Sequence, residues 1–381
     1  MNGFRTGLMD GALHVRFAPD LLLRTTRQIA AAGGADSMWI PDHLNGVFPS
    51  SIWNPKYLGV AKLAPRADAI YEPWTTLGYI AAQNRITRLR LGVGVTDAGR
   101  RNPAVTAQAA ATLHHLSRGR TILGIGPGER EGNEPYGVDW AKPVARFDEA
   151  IATIRALWDS GGAPVTRESQ FFPLHDAVFD IPPHKGGWPE IWVAAHGPRM
   201  LGIAGRYADA WFPSYPQQPK QYSEKLAVIR SAAEGAGRDP LAITPAVLFF
   251  VLTASSSAQV DEMVGSTTAR AFALSASAEV WARHGVEHPM GPTFSGIQDL
   301  LPQTIDEHTA LSYVERVPPS LVRETCLAGT PSEILDQLSE WRDHGVRYAV
   351  IANISPVHPK LRIGLGSSLS LVQLLRGMRR L

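Results

Sequence analysis

The chain has 381 residues, 44% of them hydrophobic, enough to bury a large core either as two domains or as one α/β barrel. Lys and Arg number 37 against 35 Asp and Glu with no basic block, which argues against nucleic acid and leaves a small molecule as the default partner. The single cysteine, Cys326, excludes an intramolecular disulfide, and residues 1–17 carry charges where a signal peptide needs an apolar run, so the chain reads as cytoplasmic.

Short apolar runs ending in Gly, Asp or Pro alternate with longer segments of helical spacing. In chain order the runs are RTGLMDG (5–11), SMWIPDH (37–43), LRLGVGVT (89–96), TILGIGPG (121–128), EIWVAAHG (190–197), AWFPSY (210–215), PAVLFFVLT (245–253) and YAVIANIS (348–355). Helices are expected between them over 19–33, 73–83, 102–117, 144–160, 198–208 and 221–237, with Pro73, Pro103 and Pro198 at first helical positions and Asn102 as a cap. Eight such units with right-handed crossovers predict a (β/α)8 barrel, one domain over 1–381, with a doubly wound sheet as the rival. Segments 160–189 and 275–330 break the alternation and are expected to be inserted lids or binding loops.

In TILGIGPGEREGN (121–133), Gly124, Gly126 and Gly128 lie two apart and Asp148 falls in a helix-patterned segment, so the dinucleotide-binding fingerprint fails on spacing and context. Two explanations of the glycines stay open: space for a flat ligand at the mouth of a barrel, or close packing between strands. In a barrel, the carboxyl ends of the strands carry Asp10, Asp42, His43, Thr96, Asp97, Glu129, His196, Ser214 and Tyr215 on one rim, the face where catalytic groups gather. The adjacent Asp42 and His43 suggest a proton-transferring imidazole oriented by a carboxylate. Gly197 and Pro198 open a helix whose free amides suit a phosphate, or make an ordinary β-to-α turn. His284 and His288 lack a third ligand and read as loop histidines, so no metal is expected.

WIPDHLN, LRLGVGVTDAGRRNPAVTAQAAATL, GRTILGIGPGEREGNEPYG and IWVAAHGPRMLGIAGRYADAW together resemble the luciferase-like oxidoreductases, in the branch that uses the deazaflavin coenzyme F420. The resemblance spans nearly the whole chain and is nearest to the mycobacterial phthiodiolone-type ketoreductases, which reduce a ketone on a long-chain cell-wall lipid. It implies a cis peptide at Gly94–Val95 supporting the ring, with Thr96, Gly128 and Asn133 at further cofactor contacts and residues 195–198 at its phosphate. It implies Asp42, His43 and Glu129 beside the reacting carbon, and a homodimer. Leu44, Asn45 and Gly46 stand where related sugar-phosphate dehydrogenases carry a tryptophan, which makes a sugar phosphate the weaker substrate.

The expected reaction is hydride transfer from reduced F420 to a carbonyl, with the proton supplied by Glu129 or by His43, oriented by Asp42; Glu129 is favoured as donor, with His43 positioning or polarising the carbonyl. Phe272, Trp281, Met290 and Phe294 either line a lipid channel or pack their segment onto the barrel. The basic tail LLRGMRRL (374–381) either touches a membrane surface or belongs to an outer helix. Alternatives are an F420 enzyme acting on a methylene-pterin, an FMN-dependent monooxygenase, and a ligand-binding barrel without turnover.

Overall fold

The computed structural model describes residues 3–214 and 217–381, so Tyr215 lies outside the described residues. Its strands are β1 (Arg5–Met9), β2 (Ser37–Ile40), β3 (Arg90–Asp97), β4 (Thr121–Gly126), β5 (Val165–Arg167), β6 (Leu174–Ala177), β7 (Glu190–Val193), β8 (Ala210–Trp211), β9 (Thr244–Thr253), β10 (Leu327–Gly329) and β11 (Tyr348–Asn353). In the order β1, β2, β3, β4, β7, β8, β9, β11 they pair in parallel, and β11 returns to β1. A doubly wound sheet would keep two free edges; this one closes, which makes it the (β/α)8 barrel. β10 adds to the carboxyl end of β9, with Leu327 opposite Val251.

Alternation along each strand separates two apolar layers. Outward side chains such as Met38, Leu91, Leu123, Ile191 and Phe249 pack beneath the helices. Inward ones fill the lumen, where the ring of Trp39 lies 5.0 Å from Trp192 and 4.8 Å from Phe212. Each such ring removes roughly 150–250 Å² from water, so the lumen is a packed core. Rings of this size need room: a Cβ on Gly92 would stand 2.3 Å from Trp39. The β4 glycines have the packing explanation, since a Cβ on Gly124 would lie 2.1 Å from the Val93 carbonyl and one on Gly126 3.1 Å from Val95. They accommodate a bulge in β3, whose register shifts between Val93 and Thr96 around a cis Gly94–Val95 bond, where the resemblance puts it.

The helices start where their proline and cap signals put them. Pro73–Gln83 is capped by Glu72, and Pro103–Leu116 by Asn102, whose side chain accepts from the Ala104 amide at 2.9 Å.

The two insertions differ from expectation. Residues 160–189 join a helix to the strand after it, a connection that runs at the amino end of a barrel, opposite the active rim. They form the antiparallel β5–β6 hairpin, and Trp188 stacks on Trp158 at 5.3 Å, so this segment is outer wall and no lid. Residues 275–330 follow β9 and lie at the carboxyl end, but they contain three short helices, Ala278–Arg283, Glu307–Glu315 and Pro319–Thr325, around a second core. Trp281 is fully buried there, Met290 packs against that core and Phe294 stacks on His288 at 4.3 Å, so these three help to hold the insertion together. Phe272 meets Phe250, 4.6 Å away, at the lumen's edge. His284 pairs with Glu324 at 2.6 Å. The C-terminal helix Leu361–Met378 buries Leu374, Leu375 and Met378 against the barrel, and no helix among the described residues is long and apolar enough to cross a membrane.

Candidate functional site

Three side chains from two strand ends meet at the carboxyl rim. His43 follows β2; Glu129 follows β4 and leads into a single turn, Arg130–Gly132, that carries Glu131. The His43 Nδ1 atom lies 2.8 Å from Oε1 of Glu131 and 3.7 Å from Oε2 of Glu129. Glu131 is the deepest, with a side chain 2% exposed against 26% for His43 and 25% for Glu129. The turn is pinned to the insertion at the rim, because the Arg130 amide donates to the Gln298 carbonyl at 3.0 Å.

The balance of burial and neighbouring charge raises both titrating groups, Glu129 towards neutral pH and His43 above it. Burial opposes the imidazolium of His43, but the Glu131 hydrogen bond and the charges of Glu129, Glu131 and Asp42 outweigh it and raise His43 to about 9. For Glu129 burial is the largest cause; the His43 charge opposes it, Glu131 and Asp97 reinforce it, and the carboxyl rises to about 7. The donor atoms of His43, Glu129 and Glu131 lie within 4.8 Å of one another. They form a hydrogen-bonded charge cluster in which Nδ1 is already taken.

Asp42 does not orient His43. Its two oxygens are filled by Arg100 Nη2 at 2.8 Å, Arg101 Nε at 2.8 Å and the Thr96 hydroxyl at 2.6 Å. Against the cost of burial, these donors hold the Asp42 carboxyl below its ordinary value. Successive side chains on an extended chain point to opposite faces, so neighbours in sequence are poor partners in space. Asp42 acts on His43 through charge alone.

Other rim residues are structural. Asp10 turns away to accept from Thr26 and from the Ala12 amide at 2.7 Å. Asp97 accepts from the amides of Gly99 at 2.6 Å and Arg100 at 3.0 Å. Asn133 is fully buried and joins Asp97, at 2.5 Å, to the Glu129 carbonyl, at 2.8 Å. Gly128 has φ 87°, and a Cβ there would stand 2.3 Å from the Asp97 carboxylate, so glycine is required on both counts.

At the end of β7, the strand beside β4, His196 Nε2 lies 3.3 Å from the Ser214 hydroxyl. Burial, aided by the Lys225 charge, lowers His196 to about 4, so it is neutral and brings no charge to an anion. Ala195 is buried, and its carbonyl accepts from the Trp211 indole at 2.9 Å. Gly197 opens the helix Pro198–Tyr207 with no side-chain cap and open space where a Cβ would be. Met9, Val95 and Phe250 remain partly exposed against the filled lumen.

Sequence reasoning missed Glu131, Arg100 and Arg101. The arginines stand three and four residues after Asp97, and Glu131 two after Glu129; only the fold brings them to Asp42 and His43.

Residues 8–348 match the family model described as luciferase-like monooxygenase. The chain is 59% identical over 381 residues to the phthiodiolone/phenolphthiodiolone dimycocerosates ketoreductase of Mycobacterium sp. (strain JLS), covering 100% of both. The protein of the same name from Mycobacterium kansasii is 56% identical over 367 residues, 96% of this chain and 100% of its own. A solved F420-dependent secondary alcohol dehydrogenase, in complex with an F420-acetone adduct, shares the fold with a TM-score of 0.72 over 98% of this chain and 99% of its own, at 18% identity. By the match along its length and by its identity to these relatives, the chain belongs to the luciferase-like monooxygenase family.

Proposed function

We propose that the chain is an F420-dependent ketoreductase acting on a phthiodiolone-type lipid ketone. Full-length identity to ketoreductases of that name supports the reaction and the substrate class. The observation that carries the reading is the Glu129 Oε2 atom, buried without a hydrogen-bond partner, next to His43 at the mouth of the barrel.

The residues present fit a planar deazaflavin. Met9, Val95 and Phe250 offer an apolar floor beside the β3 bulge of Gly94 to Thr96, and Asn133 braces the loop that carries Gly128 and Glu129. The uncapped amides after Gly197 suit its phosphate, with Ala195 and neutral His196 shaping the approach. FMN is the less favoured ligand.

Reduced F420, when bound, supplies a hydride and no oxygen chemistry. Glu129, protonated below about pH 7, gives its proton to the carbonyl oxygen as negative charge grows there. His43, charged up to about pH 9, donates a hydrogen bond from Nε2 to the same oxygen. Asp42 fixes the strand ends that carry these groups rather than touching the reacting atoms.

Fluorescence titration with F420 and with FMN tests the cofactor, and mixing with reduced F420 and long-chain ketones tests the reaction. Micromolar F420 binding with oxidation by such a ketone is expected; FMN binding without F420 binding would reject the reading. The reading includes a cytoplasmic homodimer that meets its lipid at a membrane surface. Leu365 and Leu369, exposed one turn apart on the C-terminal helix, support a covered helical face; light scattering and vesicle sedimentation test each part.

A further inference from the structure

Glu131 is a buried carboxylate without a Lys or Arg partner. Its Oε1 meets His43 Nδ1 at 2.8 Å, its Oε2 is buried and unpartnered, and the whole residue is 1% exposed. A buried carboxyl group in that setting is stabilised by a partner that keeps a proton facing it. Its backbone cannot follow the imidazole elsewhere. The Arg130 amide is tied to the Gln298 carbonyl at 3.0 Å, the Gly132 carbonyl accepts from Arg100 at 3.2 Å, and Asn133 reaches back to the Glu129 carbonyl at 2.8 Å. Glu129 stands farther from the imidazole, at 3.7 Å, and Asp42 is filled by the arginines and Thr96.

We propose that Glu131 is the positioning residue of His43: by accepting from Nδ1–H it fixes the ring's orientation and favours its charged form, so that the imidazolium's Nε2–H faces the reacting oxygen. The same bond separates the roles of the two glutamates. Glu131 takes the imidazole, which leaves Glu129 without a hydrogen bond to it and free to keep the proton it delivers. The delivery step rests on the ketoreductase reading; the hold on His43 does not. His43 is faced by Glu129 and Glu131 from the β4 end and by Asp42 from its own strand, with Arg100 and Arg101 behind Asp42 and Asp97 behind Glu129. Their sum favours the charged ring, which agrees with a donor at Nε2 across neutral pH.

The test is NMR titration of the His43 ring in the full-length protein without cofactor, for wild type, Glu131→Gln, Glu131→Asp and Glu129→Gln. Wild type is expected to titrate near 9 and to show the Nδ1–H tautomer above it. Glu131→Gln should fall toward the ordinary histidine value of about 6.5, and Glu131→Asp should recover part of the difference. In turnover with reduced F420 between those pH values, Glu131→Gln should lower kcat about tenfold or more with KM little changed, and Glu131→Asp should regain activity. An unchanged His43 titration in folded Glu131→Gln overturns the proposal. Should that variant not fold, a wild-type ring carrying its neutral-form proton on Nε2 overturns it equally. A wild-type protein that ignores F420 and every ketone defeats the ketoreductase reading, while the ring titration still decides the role of Glu131.

Discussion

Arg100 holds Asp42 twice: one guanidinium nitrogen donates to the side-chain Oδ1 at 2.8 Å and to the backbone carbonyl at 2.9 Å. With Arg101 on the same carboxylate, two strand ends are locked by charge. Asp42→Ala leaves two partly buried arginines facing each other, and an expected loss of about 3 kcal/mol of stability follows, read by urea unfolding. The folded pKa of Asp42 is depressed, so this stability is present above the unfolded value of 3.8 and is lost as pH falls through the lower folded one. An Asp42→Ala variant as stable as wild type at neutral pH contradicts the assignment.

As the proposed proton donor, Glu129 is expected to work only while protonated. Single-turnover ketone reduction should slow as pH rises through about 7, and Glu129→Gln should be slower by roughly 10² or more without that limb. Stability runs the same way: the folded pKa is raised, so the carboxyl's contribution is full below 4.5 and lost as pH climbs through about 7. Glu129→Gln should therefore unfold at higher urea than wild type on the alkaline side. Equal midpoints there would show that the carboxyl is not desolvated.

Gly128→Ala puts a methyl group against the Asp97 carboxylate in a left-handed backbone. The strain is expected to cost on the order of 1–3 kcal/mol. Because Glu129 is the next residue, hydride transfer should fall more than tenfold while far-UV dichroism stays the same. Wild-type rates in this variant would detach Asp97 from the site.

Cys326 is fully buried, its thiol donates to the Val322 carbonyl at 3.2 Å, and burial raises its pKa to about 12. A thiol reagent should label the native protein only as fast as the second core opens, and at once in urea. Immediate labelling of the folded chain would contradict the packing of the 275–330 segment.

The barrel was legible because each wall strand is a short apolar run stopped by Gly, Asp or Pro, as in SMWIPDH and TILGIGPG. The hairpin of β5 and β6 and the three residues of β10 were not, since they are too short and too polar or too small to show a period. Helices of six to nine residues at 278–283, 307–315 and 319–325 were read as irregular chain, although Ser277 and Asp306 cap the first two by accepting from Val280 and Thr309. At the site, sequence reasoning could place His43 and Glu129 on one rim. It could not see that Asp42 turns from its neighbour, because that is decided by Arg100 and Arg101 arriving from β3's end.

β1 reaches its second neighbour only when residues 348–353 exist, since Leu8 pairs with Ile351. A nascent chain long enough to contain every residue of the rim still carries an unsatisfied ladder of amides and carbonyls along Arg5–Met9. Fragments ending before Tyr348 should expose this ladder, join edge to edge and precipitate.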